Sequence, residues 1–161
     1  NGWGVPPVGF GRSGVHGNFY IRGAIQSMRG IVANDAEEAM YMARDKDQNG
    51  DSITSEHTYE LHFPPGQTPP ARYFWSLTVY DQDANLMLND YDRYAISGNS
   101  EDLIYEDDGS LRILIGGKPP EGMVGNWLPA GESFTRVTLR VYGPEKAMIE
   151  RTWKPPQLKR L

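Results

Sequence analysis

Arg72-Tyr73-Phe74-Trp75-Ser76-Leu77-Thr78-Val79-Tyr80-Asp81 is the stretch that decides the fold. Side chains alternate about an extended chain, so Tyr73, Trp75, Leu77 and Val79 fall on one face and Phe74, Ser76, Thr78 and Tyr80 on the other. The same period of two recurs at residues 58–63, where Tyr59, Leu61 and Phe63 oppose Thr58, Glu60 and His62. It returns at residues 135–141, with Val137, Leu139 and Val141 against Arg136, Thr138, Arg140 and the following Tyr142. Shorter strands are expected at residues 86–88, 94–96, 103–105 and 110–115. The last two flank Asp107-Asp108-Gly109, whose glycine can supply the positive φ of a tight hairpin. Short strands at this spacing, punctuated by Gly, Pro, Asn and Asp, indicate a β-sandwich or barrel rather than alternating α/β. The Gly- and Pro-rich residues 116–131 are too long for a hairpin turn and are expected to be a crossover loop of a jelly roll.

Ahead of the strands, Ile21, Ile25, Met28 and Val32 recur at offsets of four, three and four, which places them on one stripe of a helix over residues 21–32. Asn34 and Asp35 then lead into a turn or a short helical turn at residues 36–39. The expected fold is therefore mainly β, a jelly-roll-like β-sandwich with one N-terminal helix packed on it. The division is a single domain over 1–161, made of a glycine-rich extended lead over 1–17 and a helix plus sandwich over 18–161. Trp3, Val5, Val8 and Phe10 make the lead too apolar for a free tail, so it is expected to lie along the domain or against a neighbouring chain. With no initiator methionine at Asn1 and no signal-peptide pattern, either a leader has been removed or the chain is part of a longer protein. At the other end Trp153-Lys154-Pro155-Pro156 is extended, because each proline disfavours helix at the residue before it.

With 161 residues the chain can bury roughly 70% of the surface that it exposes when unfolded, enough for a core without disulfides or structural metal. The absence of cysteine excludes a disulfide scaffold, a thiolate zinc site and a cysteine nucleophile. Sixteen basic against 21 acidic side chains give a net charge of −5, which argues against nucleic acid as a partner. No apolar run approaches the ~20 residues of a membrane span, so a soluble chain is expected.

The sharpest local motif is Asp45-Lys46-Asp47-Gln48-Asn49-Gly50, with Asp51 next and Glu56 at the twelfth position. Asp45, Asp47, Asn49, Asp51 and Glu56 are the candidate metal ligands, because a calcium loop needs oxygen donors at this spacing and a glycine at the sharp turn. The flanks argue for an Asx-rich turn instead: a strand pattern follows where a helix is required, and the usual apolar eighth position is Ser52. Calcium is the one cofactor under consideration. His16, His57 and His62 are too few and too poorly spaced for a cupin-type centre, and no nucleophile elbow or phosphate loop is present. The acids Asp81, Asp83, Asp90, Asp92, Asp107 and Asp108 sit in turn contexts, so no catalytic residue is assigned. The second candidate surface is the face with Phe74, Ser76, Thr78 and Tyr80. If Arg112, Arg136, Thr138, Arg140 and Tyr142 share its sheet, the mixture of rings, hydroxyls and guanidiniums suits sugars or carboxylated ligands.

Residues 74–81, Asp107-Asp108-Gly109-Ser110-Leu111, Asn126-Trp127-Leu128-Pro129, Leu139-Arg140-Val141-Tyr142-Gly143-Pro144 and Trp153-Lys154-Pro155-Pro156 occur in an order that resembles the domain of unknown function 1214. That domain is often found C-terminal to the domain of unknown function 1254, which is absent here. Tyr20-Ile21-Arg22-Gly23-Ala24, the Asp47 to Gly50 loop and Pro69-Pro70 also fit, so the resemblance covers nearly the whole chain. It implies a jelly-roll-like β domain of bacterial, often exported proteins, hence an extracellular or periplasmic location, and no established activity. The matching residues that form candidate ligand-binding positions are Arg22, Asp81, Asn89, Arg93, Asn126, Trp127, Arg140 and Tyr142, with Tyr80 beside them. Their architectural alternative is that Arg and Asn tie crossover loops to backbone carbonyls while Trp127 plugs the core.

The function expected from these readings is a noncatalytic exported β-sandwich domain that binds a partner domain or self-associates. The alternatives are a hydrolase or lyase acting on a saccharide or small carboxylated substrate, and a calcium-stabilised carbohydrate-binding module.

Overall fold

The computed structural model describes residues 2–5, 19–29 and 34–161. The fold is mainly β, with two four-stranded sheets and only short helices. Helix α1 is Phe19–Arg29, and the strands are β1 (Ala39–Arg44), β2 (Tyr59–Phe63), β3 (Ala71–Asp81), β4 (Ala95–Ser97), β5 (Leu111–Ile115), β6 (Trp127–Leu128), β7 (Phe134–Pro144) and β8 (Leu158–Arg160). A 3-10 turn, Val124–Asn126, precedes β6, and helix α2 is Lys146–Ile149.

The first sheet has the order β1-β7-β3-β4 and is antiparallel throughout. Its register aligns Met42, Leu139, Leu77 and Ile96 in one row across all four strands, and all four are buried. The next row, Tyr41, Arg140, Ser76 and Ser97, therefore points outward, because a shift of one residue reverses the face. The second sheet has the order β6-β5-β2-β8, with Leu61 between Ile113 and Leu158 on its inner face. The inner faces of both sheets belong to one hydrophobic cluster. Phe63 of β2 meets Trp75 of β3 with ring centroids 5.8 Å apart, and Tyr59 of β2 meets Phe134 of β7 edge-on at 6.0 Å. The buried Tyr59 hydroxyl accepts the Thr54 N–H at 2.9 Å, so the ring enters the core without an unpaired polar tip.

Alternation located β2, β3, β5 and β7, and the structure departs from it in definite places. Pairing with β7 slips between Ala71 and Phe74, so Tyr73 lies exposed rather than beside Trp75. The Tyr73 ring covers Gly143, where a Cβ would stand 2.6 Å from its Cδ2. Residues 86–88 and 103–105 are loops. The turn at Asp107-Asp108-Gly109 forms, with Gly109 at φ +83°, and Glu106 N–H bonds the Ser110 carbonyl at 2.9 Å. Only its Ser110 side continues as a strand, β5. Residues 116–131 are not a plain crossover: they contain β6, which runs parallel to β5 with Leu114 opposite Trp127. Residues 36–39 turn directly into β1.

The helix periodicity matches α1, whereas the side chains of Ile21, Ile25 and Met28, and the whole of Val32, lie outside the described residues. Of the lead, Trp3 is buried and its indole N–H donates to the Pro156 carbonyl at 2.7 Å, while Gly4 bridges Ala43. Val8 and Phe10 lie outside the described residues. The Trp153 indole N–H donates to the Gln67 carbonyl at 3.2 Å, and β8 adds to the edge of β2. The two ends thus fold back onto this chain's own sandwich.

Candidate functional site

The outer face of the first sheet gathers polar side chains around Arg140. Arg140 projects from β7, and the register sets Tyr41 on one side of it and Ser76 on the other. Its guanidinium leans along the sheet: Nη1 donates to Thr78 Oγ1 at 3.1 Å and Nη2 to the Tyr80 hydroxyl. It stands 5.3 Å from the Tyr80 ring centroid and 6.0 Å from that of Tyr41, within the range of cation–π attraction. Thr78 and Thr138 lie directly opposite one another and are buried, so the floor beneath the guanidinium is made of small side chains. Phe74 and Tyr142 stack at 4.5 Å on the adjoining row. The Tyr41 hydroxyl accepts from Asn34 Nδ2 at 2.9 Å. Burial pushes the Tyr41 phenol above its ordinary value, helped by Tyr142 and Glu38 and opposed by Arg140 and Asn34, so it keeps its proton at neutral pH.

The structure brings Tyr80, Arg140 and Tyr142 together on this face and separates Arg112 from them. Arg112 belongs to β5 in the other sheet, where Nη1 stands 3.3 Å from Glu60 and Nε 2.9 Å from Glu106. Periodicity assigns a residue to a face of its strand but not to a sheet, which is why it had been grouped with Arg140.

A second group gathers around Trp127. Arg93 Nη1 pairs with Asp102 at 2.9 Å, and its Nη2 donates to the Gly125 carbonyl. Asn126, 1% exposed, accepts the Ile104 N–H at 2.8 Å and donates from Nδ2 to the carbonyls of Ile104 at 2.6 Å and Arg112 at 2.9 Å. Its amide thus replaces a strand neighbour for residues 103–105, which explains why that segment is held without being a strand. Trp127 is buried, donates to the Gly116 carbonyl at 2.9 Å and carries Tyr91 edge-on at 4.9 Å. Asn89 donates to the carbonyls of Met87 and Arg93 and accepts the N–H groups of Tyr91 and Arg93. Arg93, Asn89, Asn126 and Trp127 are therefore loop fasteners. Among the described residues, exposed Tyr91, Ile104 and Val124 adjoin this hub, and exposed Leu86, Leu88 and Tyr105 lie on the same loops. These exposed apolar residues had not been expected from the sequence, because residues 86–88 and 103–105 were read there as strands, and they are loops.

Asp81 ends β3, with Oδ1 accepting the N–H groups of Asp83 and Asn85. Its bonds from Asn85, backbone first, and from Asp83 hold its carboxyl below the usual value despite some burial. Arg22 lies on α1.

In the Asp45 loop, Asp47 is 1% exposed while Asp45, Asn49, Asp51 and Glu56 are exposed. Asp47 Oδ1 accepts the N–H groups of Asn49 at 2.8 Å and Asp51 at 3.1 Å, and Oδ2 lies 3.6 Å from Arg160 Nε. Burial alone would raise the Asp47 pKa, but these N–H bonds, the Arg160 charge and the Gly50 N–H bring it below the usual value. Gly50 takes φ +91°, and Lys46 bridges Ser52 across the turn. This is the geometry of an Asx turn clamped by the C-terminal strand. Among the described residues, no three His, Cys, Asp or Glu side chains form a group able to hold a metal ion.

A search of curated proteins finds no match. Among solved structures, the VPA0106 protein from Vibrio parahaemolyticus is similar at a TM-score of 0.72 and 24% identity, over 88% of this chain and 34% of that one. An uncharacterized protein from Burkholderia cenocepacia aligns at a TM-score of 0.47 and 18% identity, over 80% of this chain and 31% of that one. The chain spans about a third of the length of these solved chains. The first likeness is one of fold. Residues 38–146 match the family described as Protein of unknown function (DUF1214), and with that share of its sequence matched the chain belongs to this family.

Proposed function

We propose that this is a noncatalytic docking domain, jelly-roll-like in its connections and exported, whose loop end around Trp127 is covered by another protein surface. The observation that carries the reading is the set of exposed apolar side chains held on fastened loops: Leu86, Leu88, Tyr91, Ile104, Tyr105 and Val124, with Leu88 89% exposed. Apolar side chains on loops tied down by Asn89, Arg93 and Asn126 lose little further conformational freedom on binding, which favours association. A second copy of this chain is the first partner to test; the V. parahaemolyticus chain, of which this one spans 34%, leaves room for a companion domain as the partner of a longer relative.

The test is sedimentation velocity over a wide concentration range on the wild-type chain and on Leu88→Asp. Reversible association lost in the variant supports the reading. A wild-type chain that stays monomeric at millimolar concentration, and binds no more of an apolar dye than the variant does, refutes it.

A further inference from the structure

We propose that the outer face of the first sheet is a binding site for a small carboxylate, taken by the guanidinium of Arg140. The arrangement is rich in donors, and the Glu38 carboxylate at its margin acts on Tyr41 by charge without forming an ion pair with Arg140. Arginine offers five N–H donors, and the described contacts of Arg140 use one each from Nη1 and Nη2, both on neutral hydroxyl oxygens. Among the described residues no carboxylate pairs with it, whereas Arg93 has one such partner and Arg112 and Arg160 have two each. Both flanking phenols point the same way chemically. Tyr80 accepts from Arg140 and Tyr41 accepts from Asn34, so each has its own O–H left to donate. Arg136 adds a second cation on the same face of β7, directly opposite Tyr80, and has no carboxylate partner among the described residues either.

A planar carboxylate matches the guanidinium fork, and two parallel N–H···O bonds to it are stronger than the neutral bonds already present. The stacked Phe74 and Tyr142 form an apolar wall one row beyond, which favours a carboxylate carried on a ring or short apolar body. The thread of threonines beneath keeps the guanidinium at a fixed height, with its position set by Thr78, Tyr80 and the two rings before any ligand arrives.

The experiment uses benzoate as the probe, followed by two-dimensional amide NMR on the intact chain at constant ionic strength. The expected result is saturable movement confined to resonances of β1, β3 and β7, with affinity falling at least tenfold in Arg140→Gln and less in Tyr80→Phe. Arg72→Gln, on an exposed arginine elsewhere in β3, is expected to bind as the wild type does. Tyr80→Phe keeps the ring and guards against an Arg140→Gln chain that fails to fold. Movement that never saturates, equal affinity in all variants, or equal binding of inorganic phosphate would each overturn the proposal.

Discussion

Asn126 binds both backbone groups of Ile104, accepting its N–H at 2.8 Å and donating to its carbonyl at 2.6 Å. A third bond reaches the Arg112 carbonyl, so one buried amide holds a loop against β5. Asn126→Leu leaves a buried N–H and two carbonyls without their partner and is expected to cost about 3 kcal/mol in urea unfolding. A loss under about 1 kcal/mol would mean that the 103–105 segment is held by something else.

This hub also shows what the sequence carries. Asn126 and Trp127 were read as candidate ligand-binding residues, with architecture as the alternative, and parity alone separated the inner and outer faces of β2, β7 and β3 from Phe74 onward but misplaced Tyr73. β1 was not legible: Ala39-Met40-Tyr41-Met42-Ala43 is built of good helix formers, and it becomes a strand because β7 offers it a complete ladder from Ala39 to Arg44. Consequently Tyr41 was missed as a neighbour of Arg140. The Thr78–Arg140 pairing follows from face parity once β3 and β7 are adjacent, whereas adjacency itself is a property of the chain's long-range packing.

Acid should weaken the fold through Asp47. Its folded-state pKa lies below the ordinary 3.8, so the stabilisation is fully present above that value and is lost as the pH falls through the lower folded value. Asp81 and Asp108 are shifted in the same direction, Asp108 chiefly by its hydrogen bonds to Ser110. The melting temperature is therefore expected to hold down to about pH 4 and then drop, with a shallower drop in Asp47→Asn. Parallel curves for the two proteins would remove Asp47 from the explanation.

Calcium is expected to leave the melting temperature unchanged. Asp47 already accepts two backbone N–H groups and faces Arg160, which itself also pairs with Asp51 at 3.6 Å. An ion would have to displace that cation, so binding to the folded state gains little. Titration into chelator-treated protein checks this, and a saturable rise that Asp47→Ala abolishes would restore the metal reading.

The ends should report on each other. Trp3 inserts its ring into the core cluster and bonds Pro156, so Trp3→Phe retains most of the apolar burial and loses the 2.7 Å bond. The expected cost is about 1 kcal/mol, the usual net value of one such bond. Limited proteolysis is expected to quicken at residues 151–157 as well as near the N-terminus. Cleavage that quickens only at the N-terminus would show that the tail holds its place without Trp3.

Gly125 tests how closely the loops around Trp127 are set. A Cβ there would stand 1.8 Å from the Asp102 carbonyl oxygen, and the obstacle is backbone, which cannot rotate away. Moving that segment strains the Arg93–Asp102 pair and the bond from Arg93 to the Gly125 carbonyl, because Arg93 ties both the Asp102 loop and the Gly125 loop to its own. Gly125→Ala is therefore expected to cost about 3 kcal/mol, at the upper end for overpacking. Gly122 in the same stretch provides the contrast: it has open space around it but takes φ +71°, so Gly122→Ala meets only the backbone penalty of about 1 kcal/mol. Urea unfolding of the two variants separates crowding from conformational strain. Equal costs would mean that the loop at Asp102 yields freely, and with it the rigid apolar surface on which the docking reading depends.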